Sequence, residues 1–370
     1  MRGGNQPIDR IFLILFGVII LFGLIMLLSA SGPLGIQKFG DSWFFFKHQL
    51  TRGIIPGAFI FFILSYIDYR KWKPFALVAL IVSIVLLLLV YVPGIGLRFG
   101  GAGRWVSIGP IAFQPSEFVK VTFLIYVAAW LAAKHEHKAK TLYEGLFPFL
   151  AALGLVMFLL IKQPNTGSMS VIVGSALLTY FVAGAPIVWF AFLGIGVVGL
   201  VALLIKLTPY RAARFMTFLH PELDPMGQGY QINQALLAIG SGGPFGLGYG
   251  HSRQKYLYLP EVAGDSVFAV IGEELGFVLT VGFLCLFAWF VYRCFSIARQ
   301  APDEFGRFLG TGIASWFAIQ TIFNIASMTA LMPITGVTLP FVSYGSSAMV
   351  SLCIGAGLLA SISRYSKVSV

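Results

Sequence analysis

The chain is divided into about ten apolar runs of roughly 18 residues or more, most of them bounded by glycine, proline or a charge, and nothing else limits its fold so tightly. The runs lie near 11–30, 48–67, 75–93, 117–134, 144–162, 168–184, 186–207, 265–297, 306–330 and 344–363. Each is about as long as one helix must be to cross the roughly 30 Å hydrocarbon layer of a bilayer. Composition excludes a water-soluble globule: at 58% hydrophobic and 11% charged over 370 residues, the chain is too apolar to hide its surface in a core. The expected fold is an all-α polytopic membrane protein of about ten transmembrane helices, one domain over 1–370. The first run follows the charged start MRGGNQPIDR but is long and lacks a small-residue cleavage site, so it reads as a retained span. Cys285, Cys294 and Cys353 fall within or at the ends of spans without ligand spacing, so neither a disulfide framework nor a zinc site is indicated.

An even number of spans puts both termini on one side. YRKWK from Tyr69, KHEHKAK over 134–140, Arg293, Arg299 and Arg307 after the eighth span, and Arg364 and Lys367 at the end mark that side as cytoplasmic. The long segment between spans 7 and 8, about 208–264, is then extracytoplasmic. The outer face nevertheless holds Lys38, Lys47, Arg52, Arg98, Arg104, Lys120, Lys162, Lys206, Arg211, Arg214, Arg253 and Lys255. Long loops cross regardless of charge, and some of these residues can snorkel at helix ends. The other reading is a basic vestibule that receives an anionic ligand, for which the arginine fork suits phosphate oxygens. The net charge of +11 fits both, because anionic lipid on the inner leaflet favours it too. No nucleic-acid module is discernible.

Between the third and fourth spans, GIGLRFGGAGRWVSIGPIAFQPSEFVK has glycines for tight turns and, in QPSEF, a helix start with an acid near the positive end of the dipole. Glu117 and Lys120, three apart, are neighbours on that helix and read either as a structural ion pair or as ligand contacts. Arg104, with no close acidic neighbour in sequence, is the better candidate for touching phosphate. KQPNTGS from Lys162 is a turn outside the membrane. The segment from Asp224 to Asp265 mixes helix-like QINQALLAI with a Gly-rich turn, the kind of long loop that carries a site.

LPEVAGDSVFAVIGEELG, over 259–276, sets Asp265 at the mouth of an apolar run and Glu273 and Glu274 a couple of turns inside it. Asp265 reads as a helix N-cap, as a general base, or as both. At 100° and 1.5 Å per residue, Glu273 lies about 80° around and roughly 12 Å along from Asp265, with Glu274 on the opposite side. Carboxylates at that depth are costly unless paired or facing a wet cavity, and Glu273 is expected to pair with a basic residue of a neighbouring span. His48, His135, His137, His220 and His251 show no metal-ligand spacing. No nucleophilic triad, Walker loop or dinucleotide fingerprint appears. The chemistry these residues allow is group transfer by a general base, with a phosphate-bearing leaving group stabilised by Arg, Lys or a divalent cation.

GAGRWVSIGPIAFQPSEFVK, FLHPELDPMGQGYQINQALLAIGSGGPFGLGYGHSRQKYLYLPE, FAVIGEELG and GVTLPFVSYGSS resemble, in the same order and over most of the chain, the SEDS family of polytopic proteins, which includes FtsW and RodA. The resemblance implies a ten-span fold and a peptidoglycan glycosyltransferase that polymerises lipid II, with undecaprenyl-diphosphate-linked glycan as its other partner, on the outer face of the bacterial cytoplasmic membrane. It also implies a class B penicillin-binding protein as transpeptidase partner. HSRQKYLYLPE is more like the FtsW branch, implying septal synthesis. The family's catalytic aspartate falls on Asp265, and its outer-cavity residues fall on Arg104, Glu117, Lys120 and Glu261. Three departures stand out: Gly264 where the family usually has Thr before the base, Asn165 in QPN where it has QPD, and SYGSSA, with Ser346 and Ala348, where it has SYGGSS. Two rival functions use the same features. A lipid II flippase would use the basic vestibule for the headgroup, and a secondary transporter of a small anion would use Glu273 or Glu274 as its coupling site.

Overall fold

Lipid offers the backbone no hydrogen-bond partners, so segments that cross it must bond within themselves as helices. The computed structural model describes residues 6–366 except 100–101, 110, 134–140, 208 and 225. The KHEHKAK loop, Lys367 and the side chains of Arg98, Arg211 and Arg214 therefore lie outside the described residues. The helices are α1 (Arg10–Phe39), α2 (Phe44–Tyr66), α3 (Tyr69–Leu89), α4 (Pro115–Ala133), α5 (Leu142–Lys162), α6 (Thr166–Val182), α7 (Ile187–Leu207), α8 (Pro209–Leu219), α9 (Gln228–Ser241), α10 (Val267–Arg299), α11 (Glu304–Met328) and α12 (Ser346–Arg364). Eight of these, α1–α5 and α10–α12, are long and apolar enough to cross a membrane; α6 and the Ile187–Gly196 part of α7 are shorter apolar helices. Together they fall on the ten runs expected from sequence. In α12, 83% of the apolar stretch is buried against 17% in α3, so α12 is central and α3 peripheral.

Two local features differ from the sequence reading. The segment read as a glycine-rich loop between spans 3 and 4 folds into an antiparallel meander of β1 (Gly96–Phe99), β2 (Ala102–Ile108) and β3 (Ile111–Phe113), with Gly109 at φ 60 in the second turn. The second is a break in α10 at Gly276, whose φ of 72 and ψ of −178 are non-helical. The outer piece, 267–275, is a separate short helix, and only the remainder continues through the bundle. The Gly-rich turn of the long loop fills the break: Phe277 N donates to Gly243 O at 2.8 Å, Val278 N to Pro244 O at 3.0 Å, Leu247 N to Glu273 O at 3.0 Å and Gly248 N to Glu274 O at 3.0 Å. A Cβ on Gly246 would sit 2.2 Å from Glu274 O, so this approach is open only to glycine.

At the opposite end the termini meet. Gln6 N donates to Arg364 O at 3.0 Å, Asp9 N to Ser363 Oγ at 3.2 Å, and Arg364 Nη1 to Ser65 O at 3.1 Å. Arg293 pairs with Asp9, while Tyr69 and Arg70 converge on Asp303, with Arg70 Nε at 3.0 Å. Both termini therefore share the face assigned to the cytoplasm. Burial works to raise the Asp303 pKa, but hydrogen bonds from Tyr69, the Gly306 N–H and Arg70 outweigh it and hold the carboxyl below its ordinary 3.8.

Candidate active site

The outer end is built by β2, the turn at 163–166, the loop at 242–266 and the loop at 329–345. Helix α4 begins at Pro115, where a missing N–H costs nothing, and carries Glu117 in its first turn. One turn further, Lys120 Nζ pairs with Glu117 Oε1 at 2.8 Å and donates to Gln320 Oε1 at 2.8 Å. Although Lys120 belongs by sequence to the basic residues of the outer face, it is 2% exposed, with its ammonium also 5.5 Å from the Trp316 ring centroid. Trp316 Nε1 donates to the same Gln320 oxygen at 2.7 Å, and Gln320 Nε2 donates to Thr338 O at 3.0 Å. The remaining carboxylate oxygen, Glu117 Oε2, is buried without a partner among the described residues. Glu117 lines a cleft of about 80 Å³ together with Lys120, Trp105, Gln114, Thr338, Tyr344 and Ser347, among others. That volume takes several waters.

Asp265 lies beside this cleft rather than on its wall. The 267–275 helix is capped by Ser266, so Asp265 sits one residue outside the helix and does not fill the N-cap position. It is half-buried. Gln231 Nε2, from α9, lies 3.4 Å from Asp265 Oδ1 and 3.0 Å from Ser266 Oγ. Asn324 Nδ2 donates to Asp265 O and to Val337 O, both at 2.8 Å. Tyr344 N donates to Ala263 O at 2.8 Å, and Gln49, in the π-helical turn of α2, holds the same loop by accepting from Gly345 N at 3.0 Å. Burial raises the Tyr344 phenol pKa, against the lowering influence of Arg52, so its hydroxyl stays a neutral donor. Glu261, exposed and in the left-handed region at φ 49, opens the turn that ends at Asp265: its carbonyl accepts from Gly264 N at 2.8 Å and Ser266 N at 3.2 Å. A non-glycine residue there is uncommon and marks a conformation imposed by its surroundings.

Of the sequence-identified residues, Glu117 and Lys120 share the cleft, and Asp265 is joined to it through Asn324 and the 337–345 loop. Arg104, on β2, donates from Nη2 to Pro164 O at 2.5 Å and so ties the sheet to the neighbouring turn; its neighbour Trp105 lines the cleft. Glu273 and Glu274 belong to another structure. Glu273 accepts from Ser252 Oγ at 2.5 Å and Arg253 N at 2.9 Å. Glu274 accepts from Ser29 Oγ at 2.6 Å and Lys255 Nζ at 2.8 Å. Glu273 thus binds loop donors instead of a cation of a neighbouring span, and Glu274, read as pointing away, is held by the same loop. Asn165 fits where an acid was expected: Nδ2 donates to Ser116 Oγ at 2.9 Å while Oδ1 caps Ser168 N at 3.3 Å. Sequence reasoning missed Gln320, Asn324 and Gln49. The signal for the first two was amides four residues apart in an apolar span. Among the described residues, no three His, Cys, Asp or Glu are grouped to hold a metal ion.

A helical membrane bundle with a polar cleft and a half-buried carboxylate gathered at one end is the class that this fold and site define. The chain belongs to the FtsW/RodA/SpoVE family of cell cycle proteins, whose family model matches residues 9–368. It is 40% identical over 360 residues to stage V sporulation protein E of Bacillus subtilis, covering 97% of this chain and 98% of that one. It is 37% identical over 361 residues to a probable peptidoglycan glycosyltransferase FtsW of Trichlorobacter lovleyi, covering 98% and 94%. Among solved structures it matches a chain described under structural coordination of polymerization and crosslinking by a peptidoglycan synthase complex, with TM-score 0.79, 26% identity and coverage of 96% and 98%. It also matches the rod shape determining protein RodA of Thermus thermophilus, with TM-score 0.70, 27% identity and 98% of both chains covered.

Proposed function

We propose that this protein is a peptidoglycan glycosyltransferase of the bacterial cytoplasmic membrane, polymerising lipid II on the outer face for cell division or shape, with Asp265 as general base. The observation that carries this reading is the joining of a half-buried carboxylate to a buried, partly unsatisfied Glu117–Lys120 cleft through one helix and one loop. Asp265 takes the proton from the 4-hydroxyl of the acceptor GlcNAc. The oxygen then attacks the anomeric carbon of the lipid-linked donor, the new glycosidic bond forms with inversion, and the anomeric carbon–phosphate oxygen bond breaks. Undecaprenyl diphosphate leaves with its charge offset by Lys120, Arg104 or other basic residues of the outer face. Glu117 and Glu261 contact substrate hydroxyls. A divalent cation, where bound, would supply further charge neutralisation to the leaving diphosphate. The transpeptidase partner is a class B penicillin-binding protein, a reading supported by the similarity to a chain of a polymerising and crosslinking complex.

The test is lipid II polymerisation by the purified protein with its partner. Asp265→Asn is expected to abolish product while the protein still inserts, and product from that variant would remove Asp265 from the mechanism. Lipid movement across vesicles without glycan would favour the flippase instead.

A further inference from the structure

Helix α11 presents Trp316, Gln320 and Asn324 at intervals of four residues, so all three lie on one face. Gln320 and Asn324 are both fully buried, at 0% and 1% exposure. Their partners come from two places that the site needs in register. Gln320 accepts from Lys120 Nζ at 2.8 Å and donates to Thr338 O at 3.0 Å. One turn on, Asn324 donates to Asp265 O and to the adjacent loop carbonyl, Val337 O, at 2.8 Å each. Both acceptors of Asn324 are carbonyls, which only the NH₂ end can satisfy, so the amide orientation is fixed by chemistry and its two protons are both committed. Its oxygen is left facing away, buried and without a partner among the described residues. A leucine at this position would fill the space but leave the Asp265 and Val337 carbonyls without this donor, so the amide serves its hydrogen bonds rather than apolar packing.

We infer that Asn324 is a positioning residue for the reaction: it fixes the backbone of Asp265, and with it the placement of the base, relative to the cleft loop that Gln320 ties to Lys120. This rests on the reading of Asp265 as general base. Asn324 touches no reacting atom in this scheme. It sets the distance between the group that removes the proton and the cation that faces the leaving group, and displacement of a catalytic group by about 1 Å costs roughly 10²-fold in rate.

The experiment uses the full chain with its partner and lipid II, and measures kcat and KM for Asn324→Ala, Asn324→Gln and Asp265→Asn. Hydrogen exchange of the amides at 262–266 and thermal stability are followed in the same preparations. Asn324→Ala is expected to lower kcat roughly 10²-fold with KM within about threefold. Faster exchange confined to 262–266 and a nearly unchanged melting temperature are expected with it. Asn324→Gln, which keeps both donors one methylene further out, is expected to recover at least a tenth of the wild-type kcat. Unchanged kcat in Asn324→Ala overturns the inference. So does a loss that follows melting temperature, or one that Gln does not relieve. A variant too unstable to assay is replaced by Asn324→Ser, judged by the same exchange readout, and no local change at 262–266 counts against the inference. Polymerisation by Asp265→Asn would instead sink the functional reading, whatever Asn324 does.

Discussion

Lys255→Met tests what holds the long outer loop to the bundle. Lys255 Nζ lies 2.8 Å from Glu274 Oε1, 3.0 Å from Ser29 Oγ and 2.8 Å from Gly250 O, and the two charged side chains are 4% and 0% exposed. Methionine fills nearly the same volume but leaves Glu274 charged and short of its cation. Removing one member of a buried pair costs about 3–5 kcal/mol. Glu274 keeps the Ser29 hydroxyl at 2.6 Å and the Ser252 N–H at 3.3 Å, which places the loss near the lower end of that range. At about 1.4 kcal/mol per tenfold, a loss of about 3 kcal/mol raises the open fraction of the loop roughly 10²-fold. The amides of Ser252, Arg253 and Gln254 donate straight to the two glutamates, so hydrogen exchange over 250–256 reads that opening directly. Lys255→Met should accelerate exchange there about 10²-fold, and Lys255→Met combined with Glu274→Gln, which removes the stranded charge, should recover most of it. Exchange within threefold of wild type in the single variant would refute the reasoning. A double variant no better protected than the single one would refute it too, since the cost would not be the unpaired charge.

Gly264→Thr, which restores the family's usual residue, should leave stability within about 0.5 kcal/mol and polymerisation intact. A Cβ there would meet Glu261 O at 3.4 Å and Glu261 Oε2 at 3.5 Å, ordinary contact distances. Thermal melts and a lipid II gel check this, and a collapse of either would mean that the turn needs glycine. Asp303, whose folded pKa lies below the ordinary 3.8, contributes stability present above that value and lost as pH falls through the folded one. The melting-temperature advantage of wild type over Asp303→Asn should therefore be full at neutral pH, persist down to about pH 4 and be lost only as pH falls further through the folded value, and an advantage independent of pH would refute the assignment.

The spans were legible because bilayer thickness imposes one length on every crossing helix, and that constraint is written residue by residue. The break in α10 was not. A lone glycine in an apolar run costs a helix only about 1 kcal/mol, so Gly276 reads as tolerated until the backbone of 243–248 is seen in its place. The helical-wheel estimate for Glu273 had a separate flaw, since Asp265, from which the angle was counted, lies outside the helix that begins at Val267. The Glu117–Lys120 pair was legible from spacing alone, and Asp265 from its motif. Gln320 and Asn324 carried a signal, two amides one turn apart in a span, but no sequence rule names partners 200 and 59 residues away.

Three carboxylates within ten residues, at 265, 273 and 274, would look alike to a hydropathy scale, and their surroundings assign them different work. Glu273 and Glu274 are each 1% exposed and accept hydrogen bonds from hydroxyls, backbone N–H groups and, for Glu274, an ammonium. Their partners would all have to be released before a solute could bind, which makes these residues fasteners for the outer loop and poor coupling sites for a transporter. Asp265 is half-buried, with its backbone rather than its carboxylate fixed by Asn324. In the reading of Asp265 as the base, Asn324 holds that residue through its main chain, and of the three carboxylates Asp265 alone is half-buried rather than buried.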